Sequence, residues 1–214
     1  MSTTTASRIE RRPFASLGHA DHGWLNARHH FSFANYYDPA RMGWGAIRVW
    51  NDDEIGPRSG FPPHPHSDME IITYVRTGAI THQDSLGNKG RTEAGDQIWV
   101  IPRSVGGSPS WGAKPFPEGD RSGKLVVLAS GHDEDKEALR IRADARLLGG
   151  TIKAGDSVTY EAGEGRHLYL VPATGRIEID GQVFEARDGA AIIGGAPITI
   201  TAVEDSEIVL VDSE

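Results

Sequence analysis

Cysteine is absent from all 214 positions of the chain. Disulfide bonds, thiolate metal ligands and cysteine nucleophiles are therefore excluded, so any bound metal must be held by nitrogen or oxygen atoms. Long apolar runs are absent too, whereas a membrane-spanning helix needs about 18 or more apolar residues in succession. The N-terminal residues lack the apolar core of a signal peptide, from which we expect a cytoplasmic protein.

Positive charge is also scarce. The chain has 22 Lys and Arg against 30 Asp and Glu, which gives a net charge of −8, and its basic residues are scattered. Direct binding to nucleic acid requires basic side chains clustered against the phosphates. We therefore expect neither nucleic acid nor a membrane among its partners.

Glycine, by contrast, is frequent, and the 26 glycines divide the chain into short segments. Many of these segments are rich in β-branched residues or alternate between apolar and polar residues, as strands do. Their regular spacing predicts an all-β protein, either a sandwich or a barrel. The predicted strands are 44–50, 70–75, 97–101, 124–129, 146–152, 157–160, 167–171, 176–179, 182–185, 190–193, 198–202 and 207–211.

The connecting segments carry their own signals. Residues 51–57 predict an exposed acidic turn, and Gly95-Asp96 predicts a tight turn. Residues 79–90 predict a hairpin, because the Gly-Asn-Lys-Gly tip supplies residues that tolerate positive φ. Residues 134–139 have the composition of a helical turn. The polar residues 1–12 are expected to be frayed or to pair late.

The most informative stretch is residues 60–78, which begins Gly-Phe-Pro-Pro-His64-Pro-His66. Two histidines one residue apart on an extended segment point to the same side. Neutral imidazole is a good ligand for divalent iron, zinc, copper and nickel, and prolines suit a strand entry or edge. The pattern indicates half of a metal site inside a β-barrel. The alternative is a Pro-rich strand entry whose two histidines are merely exposed.

Other acidic and histidine residues nearby are also either metal ligands or structural residues. Four histidines lie between positions 19 and 30, unevenly spaced and flanked by aromatic residues. That arrangement favours turns and core edges over a metal site. Glu70 lies four positions beyond His66 and in phase with it on a strand, and we expect it to be a hydrogen-bonded core carboxylate.

An internal repeat indicates two similar domains. Residues 74–80, a strand that ends at Gly78, are echoed by residues 169–177, and the Glu-Ala-Gly-Asp of 93–96 is echoed by the Glu-Ala-Arg-Asp of 185–188. Residues 102–123 lack periodicity and form the candidate boundary. We predict an N-terminal domain, 1–122, that carries the metal-site motif, and a C-terminal domain, 123–214, without metal ligands.

Four sequence blocks then occur in a fixed order. They are Asn-Ala-Arg-His-His-Phe-Ser-Phe-Ala-Asn-Tyr-Tyr-Asp-Pro from Asn26, Gly-Phe-Pro-Pro-His-Pro-His-x-x-Met-Glu-Ile-Ile-Thr-Tyr-Val from Gly60, Gly-x-x-x-His-x-Asp-Ser-x-Gly-Asn-x-Gly from Gly78, and Ala-Gly-Asp from Ala94. Such a series is far more specific than one His-x-His pair. Together the blocks resemble the pirin family of bicupins over nearly the whole chain.

The resemblance implies a bicupin fold, with two stacked antiparallel β-barrels of the double-stranded β-helix or jelly-roll type. It also implies one mononuclear metal, usually iron, held in the N-terminal cupin by three His and one Glu. By position, His64 and His66 match the first two ligands. Similar bacterial members have quercetin 2,3-dioxygenase activity, which implies a flavonol or similar aromatic substrate. Other members are metal-dependent protein-binding or transcription-linked modules, which implies a protein partner. No catalytic residue is assigned.

One departure from the family concerns the other two ligands. In the family the Gly-Asp turn leads into a strand, a turn and a His-Ser-Glu segment, whereas Gly95-Asp96 here runs directly into Gln97-Ile-Trp-Val. Roughly two dozen residues are missing, judged from the usual size of a hairpin and strand. Either the protein has lost half of the site, or this sequence omits a segment; the second is favoured because deleting a strand pair should disrupt a barrel. His82 with Asp84 is an alternative donor pair, although it is hairpin structure in the family.

Overall fold

A computed structural model describes residues 7–83, 85, 87, 89–92, 95–106, 112 and 121–214. Within these ranges, the side chains of residues 75, 80, 82, 91, 92 and 95–99 lie outside the description. The described part of the chain contains no helix with the length and apolarity that a membrane crossing requires.

The regular secondary structure of the described residues is β-strand, apart from one short 3-10 turn at Phe14–Ser16. The strands are β1 (Arg8–Arg12), β2 (Gly18–Asp21), β3 (Leu25–His29), β4 (Ile47–Ile55), β5 (Glu70–Val75), β6 (Ile80–Gln83), β7 (Lys89–Thr92), β8 (Gly95–Val100), β9 (Val126–Ser130), β10 (Leu139–Arg140), β11 (Ala145–Ile152), β12 (Ser157–Tyr160), β13 (His167–Thr174), β14 (Ile177–Ile179), β15 (Gln182–Phe184), β16 (Gly189–Ile193), β17 (Ile198–Ala202) and β18 (Ser206–Ser213). The prediction of an all-β protein is confirmed.

The strands belong to two compact units. The N-terminal unit contains the described residues from 17 to 43 and from 47 to 112. Its main sheet has the order β2-β3-β4-β8-β5, and β6 and β7 form a separate hairpin. The C-terminal unit combines residues 121–214 with two earlier segments, 7–16 and 44–46.

The C-terminal unit contains the larger apolar core. Its seven-stranded sheet has the order β1-β16-β13-β18-β11-β9-β10, and its four-stranded sheet has the order β12-β17-β14-β15. Leu168 and Leu210 from the first sheet and Ile177, Phe184 and Ile200 from the second belong to one buried cluster. Alternation along each strand sends these side chains to the same face, so the apolar residues of the two sheets form a common core.

Several strand predictions are confirmed to the residue. The predicted strands 70–75, 157–160 and 198–202 coincide with β5, β12 and β17, and β6 pairs antiparallel with β7 as the hairpin prediction requires. Residues 8–12 are not frayed, because β1 pairs antiparallel with β16, from Arg8 opposite Ile193 to Arg12 opposite Gly189.

Three predictions of connecting segments were wrong. Asn51 to Ile55 continue β4 and do not form an exposed turn, since both Asn51 and Asp52 are buried. Gly95 and Asp96 lie within β8, where they pair with Val75 and Tyr74 of β5. Residues 134–139 form turns and the start of β10 instead of a helical turn. In each case pairing with a distant strand or buried partner overrides the local preference.

Candidate metal site

The histidine pair lies on the loop that leads into β5. Three prolines precede or separate the two histidines, and β5 begins only at Glu70. Proline lacks the N–H that a sheet hydrogen bond requires, which explains why this segment stays outside the sheet. Every residue from 57 to 68 is exposed.

The two imidazoles are adjacent. The ring centroids of His64 and His66 are 4.5 Å apart, and the ring planes are inclined by 73°. Nδ1 of His64 lies 2.7 Å from the carbonyl oxygen of Pro62. Because a carbonyl only accepts hydrogen bonds, Nδ1 carries the proton, and Nε2 of the neutral ring presents a lone pair. Metal-binding histidines typically have their second nitrogen bonded in this way.

Aromatic packing supports the loop beside the pair. The Phe61 ring contacts His64 with a centroid distance of 6.1 Å, and it packs edge-on against Trp24 at 5.2 Å. The amide of Gly56 donates a hydrogen bond of 2.7 Å to the carbonyl of Trp24. These contacts connect the histidine loop to the segment that precedes β3.

A complete four-ligand centre is not found. The described residues contain no group of three or more His, Asp or Glu side chains placed to hold one metal ion. Asp96 and Gln97 are consecutive in β8, which pairs with both β4 and β5. The side chain of His82 and all of Asp84 lie outside the described residues. The residues that the structure describes therefore do not fit a centre of three His and one Glu, and His64 and His66 are the two candidate donors among them.

Three other histidines of the N-terminal unit, His19, His29 and His30, have structural partners, as predicted. His29 is buried, and its Nδ1 lies 2.8 Å from Oδ1 of Asn51. Burial lowers the pKa of His29, so this ring is neutral. His30 is fully buried with its ring 5.9 Å from that of Trp50. His19 lies at an exposed position, 2.8 Å from Oδ1 of Asn26.

An acidic pair on β4 is the feature that the sequence prediction missed. Asp52 is buried and accepts a 2.6 Å hydrogen bond from Arg76. Asp53, on the opposite face, has a buried Oδ1 without a hydrogen-bond partner among the described residues. Burial, and then the negative charge of Asp52, raises the pKa of Asp53 to about 7. The alternation of apolar and polar residues that begins at Ile47 runs into Asp52 and Asp53, which both lie on β4. This continuity was the sequence signal that could have placed the acidic pair on a strand.

Asp53 makes stability depend on pH. Its folded pKa lies above the ordinary value of 3.8, so the folded chain binds the proton more tightly than the unfolded chain. The contribution of Asp53 to stability is therefore greatest in acid and falls as the pH rises from about 4 to about 7. Asp53→Asn should stabilise the fold more at pH 8 than at pH 5, by about 2–3 kcal/mol, since each pKa unit is worth about 1.4 kcal/mol.

Urea unfolding at the two pH values measures this difference. Asp133→Asn is the control for loss of one carboxylate, because the Asp133 side chain is 95% exposed. An Asp53→Asn effect that is the same at both pH values, or larger at pH 5, would contradict the assignment.

One network of ion pairs and hydrogen bonds in the C-terminal unit centres on Asp212 and Asp144. Asp212 is buried and accepts hydrogen bonds from Arg166 and, at 2.6 Å, from the Tyr160 hydroxyl. Burial and this hydrogen bond raise the pKa of Tyr160. His132 lies 3.2 Å from Asp144, which also pairs with Arg166 at 3.1 Å. Mutual pairing therefore accounts for the polar side chains of this network.

Two family profiles match the chain. The pirin profile matches residues 10–104, and the profile of the quercetinase C-terminal cupin domain matches residues 127–213. A pirin-like protein from Caulobacter vibrioides is 61% identical over 230 residues, covering 96% of this chain and 99% of that protein. A quercetin 2,3-dioxygenase from Escherichia coli K12 is 36% identical over 221 residues, covering 91% and 94%.

Solved structures agree with these matches. The crystal structure of bacterial pirin YhhW from Escherichia coli in complex with nickel(II) has a TM-score of 0.89 to this chain at 33% identity, covering 96% of this chain and 99% of that one. A quercetin 2,3-dioxygenase from Acinetobacter baumannii is 18% identical with a TM-score of 0.70, covering 96% and 85%, which supports the fold alone.

The alignment lengths also reveal a difference. The alignment to the Caulobacter protein has 230 positions, but 96% of the 214 residues is only about 205, so about 25 positions have no counterpart here. This agrees in size with the segment that the sequence lacks after Asp96. With identity of 61% over almost the full length of both proteins, and with both halves matched by their profiles, this chain belongs to the pirin family.

Proposed function

We propose that this protein binds a divalent metal ion through His64 and His66. The observation that carries the proposal is the adjacency of the two rings, 4.5 Å apart, with Nδ1 of His64 bonded to a backbone carbonyl. Imidazole nitrogen is suited to iron, nickel, zinc and copper. Iron is the metal that we expect from the family, and nickel is the metal in the YhhW complex.

We propose flavonol oxygenation, of the quercetin 2,3-dioxygenase type, as the activity. Its support is the relation to the quercetin 2,3-dioxygenase of Escherichia coli over 91% of the chain, together with the proposal that the two units are cupin barrels. A bound metal would act as a Lewis acid that polarises oxygen atoms of the substrate. Because the described residues supply two metal donors, we assign no catalytic residue and derive no step at the metal.

A second candidate is a metal-dependent protein-binding module without catalytic activity. The observation that favours it is exposure, since residues 57–68 are all exposed and include both histidines. Catalytic metals usually lie in pockets that exclude water, whereas an exposed pair is accessible to a macromolecule. Both candidate functions use the same metal ligands, but only the dioxygenase converts a substrate.

Oxygen uptake with quercetin separates the candidates. The chain is loaded with iron(II) or nickel(II), desalted and assayed for bound metal and for oxygen consumption. If it is a dioxygenase, uptake exceeds that of free metal by at least about tenfold, because even general acid–base assistance alone contributes more than this. A binding module retains metal but consumes no oxygen above the free-metal rate.

Substitutions test whether the bound metal and any oxygen uptake depend on the histidine pair. His64→Ala and His66→Ala should each reduce bound metal and any oxygen uptake to background. His22→Ala is the matched control, because His22 is exposed in the same unit but lies outside the pair. Full metal retention by His64→Ala would refute the proposed site.

A further inference from the structure

A short hairpin packs against the buried His29. It consists of residues 33–36, Phe-Ala-Asn-Tyr, which we name the lid. The Phe33 amide donates a 3.0 Å hydrogen bond to the Tyr36 carbonyl, and the Tyr36 amide donates one of 2.9 Å to the Phe33 carbonyl. The ring centroid of His29 lies 5.4 Å from that of Phe33 and 6.3 Å from that of Tyr36. With both rings in contact, His29 is only 4% exposed.

The closed lid has a backbone cost and an aromatic contact that offsets it. Ala34 has a φ of +49°, a left-handed conformation that disfavours every residue except glycine. The Tyr36 ring lies directly against Gly18 of β2, where a Cβ atom would overlap it, and Gly18 is paired with His29. The lid is therefore held by its packing on His29 and Gly18, and loss of that packing favours opening.

His29 carries one proton while the lid is closed. Its Nδ1 lies 2.8 Å from Oδ1 of Asn51, and an amide oxygen only accepts hydrogen bonds, so Nδ1 has the proton and Nε2 the lone pair. A second proton would create a positive charge in a site from which water is excluded. This burial is the main reason that the pKa of His29 lies below its ordinary value of 6.5.

The described ionisable groups near His29 do not compensate for a second proton. His19 on β2 and His22 beyond it lower the pKa of His29 further through their own positive charge. Asp53 on β4 shares the face of His29 by strand alternation, but it is mostly protonated in acid because burial raises its pKa to about 7. The lid brings only the Tyr36 phenol, which is uncharged in acid.

We propose that the lid is a pH-sensitive switch that closes over neutral His29 and opens when this imidazole takes up a second proton. The His29 pKa is lower under the closed lid than in water, so the open form binds the proton more tightly. The closed lid is therefore fully favoured above about pH 6.5 and loses stability as the pH falls below this value. The switch involves no metal and does not depend on the proposed function.

Amide hydrogen exchange, measured by NMR, follows the lid. The amides of Phe33 and Tyr36 are bonded within the closed hairpin, and the amide of Gly56, bonded to Trp24 in the same unit, is the reference. We expect the protection factors of the two lid amides, corrected for intrinsic exchange, to fall by up to about tenfold per pH unit below about pH 6.5, since one proton is taken up per opening. The protection of Gly56 should not fall.

Three variants locate the titrating group. His29→Gln removes the imidazole but keeps an amide that can bond to Asn51, so lid protection should no longer depend on pH. His64→Gln is the matched control, because it removes an exposed imidazole of the same unit, and it should retain the full pH dependence. Ala34→Gly removes the cost of positive φ and should raise lid protection about fivefold at every pH, with the slope unchanged. Circular dichroism confirms that each variant is folded.

Three results would overturn the switch. Lid protection that is independent of pH in the unmodified chain shows that proton uptake does not open the hairpin. The same pH dependence in His29→Gln assigns the effect to another group. A parallel fall in the protection of Gly56 shows that the whole unit opens. If His29→Gln does not fold, the imidazole resonances of His29 in the unmodified chain replace it, and a titration that does not coincide with the loss of lid protection refutes the proposal.

Discussion

Replacing Asp188 by Ala is expected to lower the free energy of unfolding by about 2–5 kcal/mol, because its buried carboxylate is the acceptor for two backbone amides and each unsatisfied buried donor costs about 1–3 kcal/mol. Asp188 is 2% exposed. Its Oδ2 accepts hydrogen bonds from Arg11 at 2.6 and 2.9 Å and from the Glu185 amide at 3.0 Å. Its Oδ1 accepts one from the Phe14 amide at 2.7 Å.

The effect is large because one carboxylate satisfies several donors. Without it, two backbone amides lose their acceptor, and the Arg11 guanidinium, whose side chain is 34% exposed, loses its ion pair but stays partly solvated. The loss also releases β1 from its anchor, since Arg11 belongs to β1 and Phe14 directly follows it. Asp188 therefore stabilises the attachment of the N-terminal segment.

Urea unfolding followed by circular dichroism measures this cost. Asp133→Ala is the control, because Asp133 pairs with Arg140 at 2.8 Å but is 95% exposed. Exposed ion pairs contribute about 0–1 kcal/mol. If Asp188→Ala were as mild as Asp133→Ala, the carboxylate would not be holding β1 in place.

Gly131→Ala is expected to lower the free energy of unfolding by about 3 kcal/mol or more, at the upper end of the cost of overpacking. Gly131 follows β9, and its amide donates a 3.0 Å hydrogen bond to the carbonyl of Ala145. A Cβ atom at this position would overlap the carbonyl oxygen of Ala143. Because that oxygen belongs to the backbone, no side-chain rotation relieves the overlap.

Thermal unfolding tests the close approach at Gly131. For a chain of this size a loss of 3 kcal/mol corresponds to a fall of about 6–12 °C in Tm. Gly60→Ala is the matched control, because a Cβ atom at Gly60 meets nothing within 4 Å and its φ is not positive. We expect its Tm to change by only about 1–2 °C. Equal effects of the two substitutions would exclude the steric explanation.

The sequence predicted strands well where the signals are local. β5, β12 and β17 are short, rich in β-branched residues and bounded by turn residues, and their predicted limits were right. Predicting β4 failed after Trp50, because consecutive polar residues are typical of an exposed turn. The burial of Asp52 depends on Arg76, a partner 24 positions away that no local pattern indicates.

The same distinction applies to the candidate site. His64 and His66 are separated by one residue, so their adjacency follows from the backbone alone. The raised pKa of Asp53 depends on how deeply its carboxyl is buried, which only the folded sheet determines. Likewise, the sequence showed Asp188 only as part of the internal repeat, whereas its bonds to Arg11 and Phe14 join residues more than 170 positions apart.

The pairing of β1 with β16 has a consequence for protein synthesis. Arg8 lies opposite Ile193, so the ribosome must add about 185 further residues before this partner exists. At about 5–20 residues per second, β1 waits roughly 10–40 s for its place in the sheet. β1 is thus incorporated late although it is translated early, and it has no sheet partner until β16 has been synthesised.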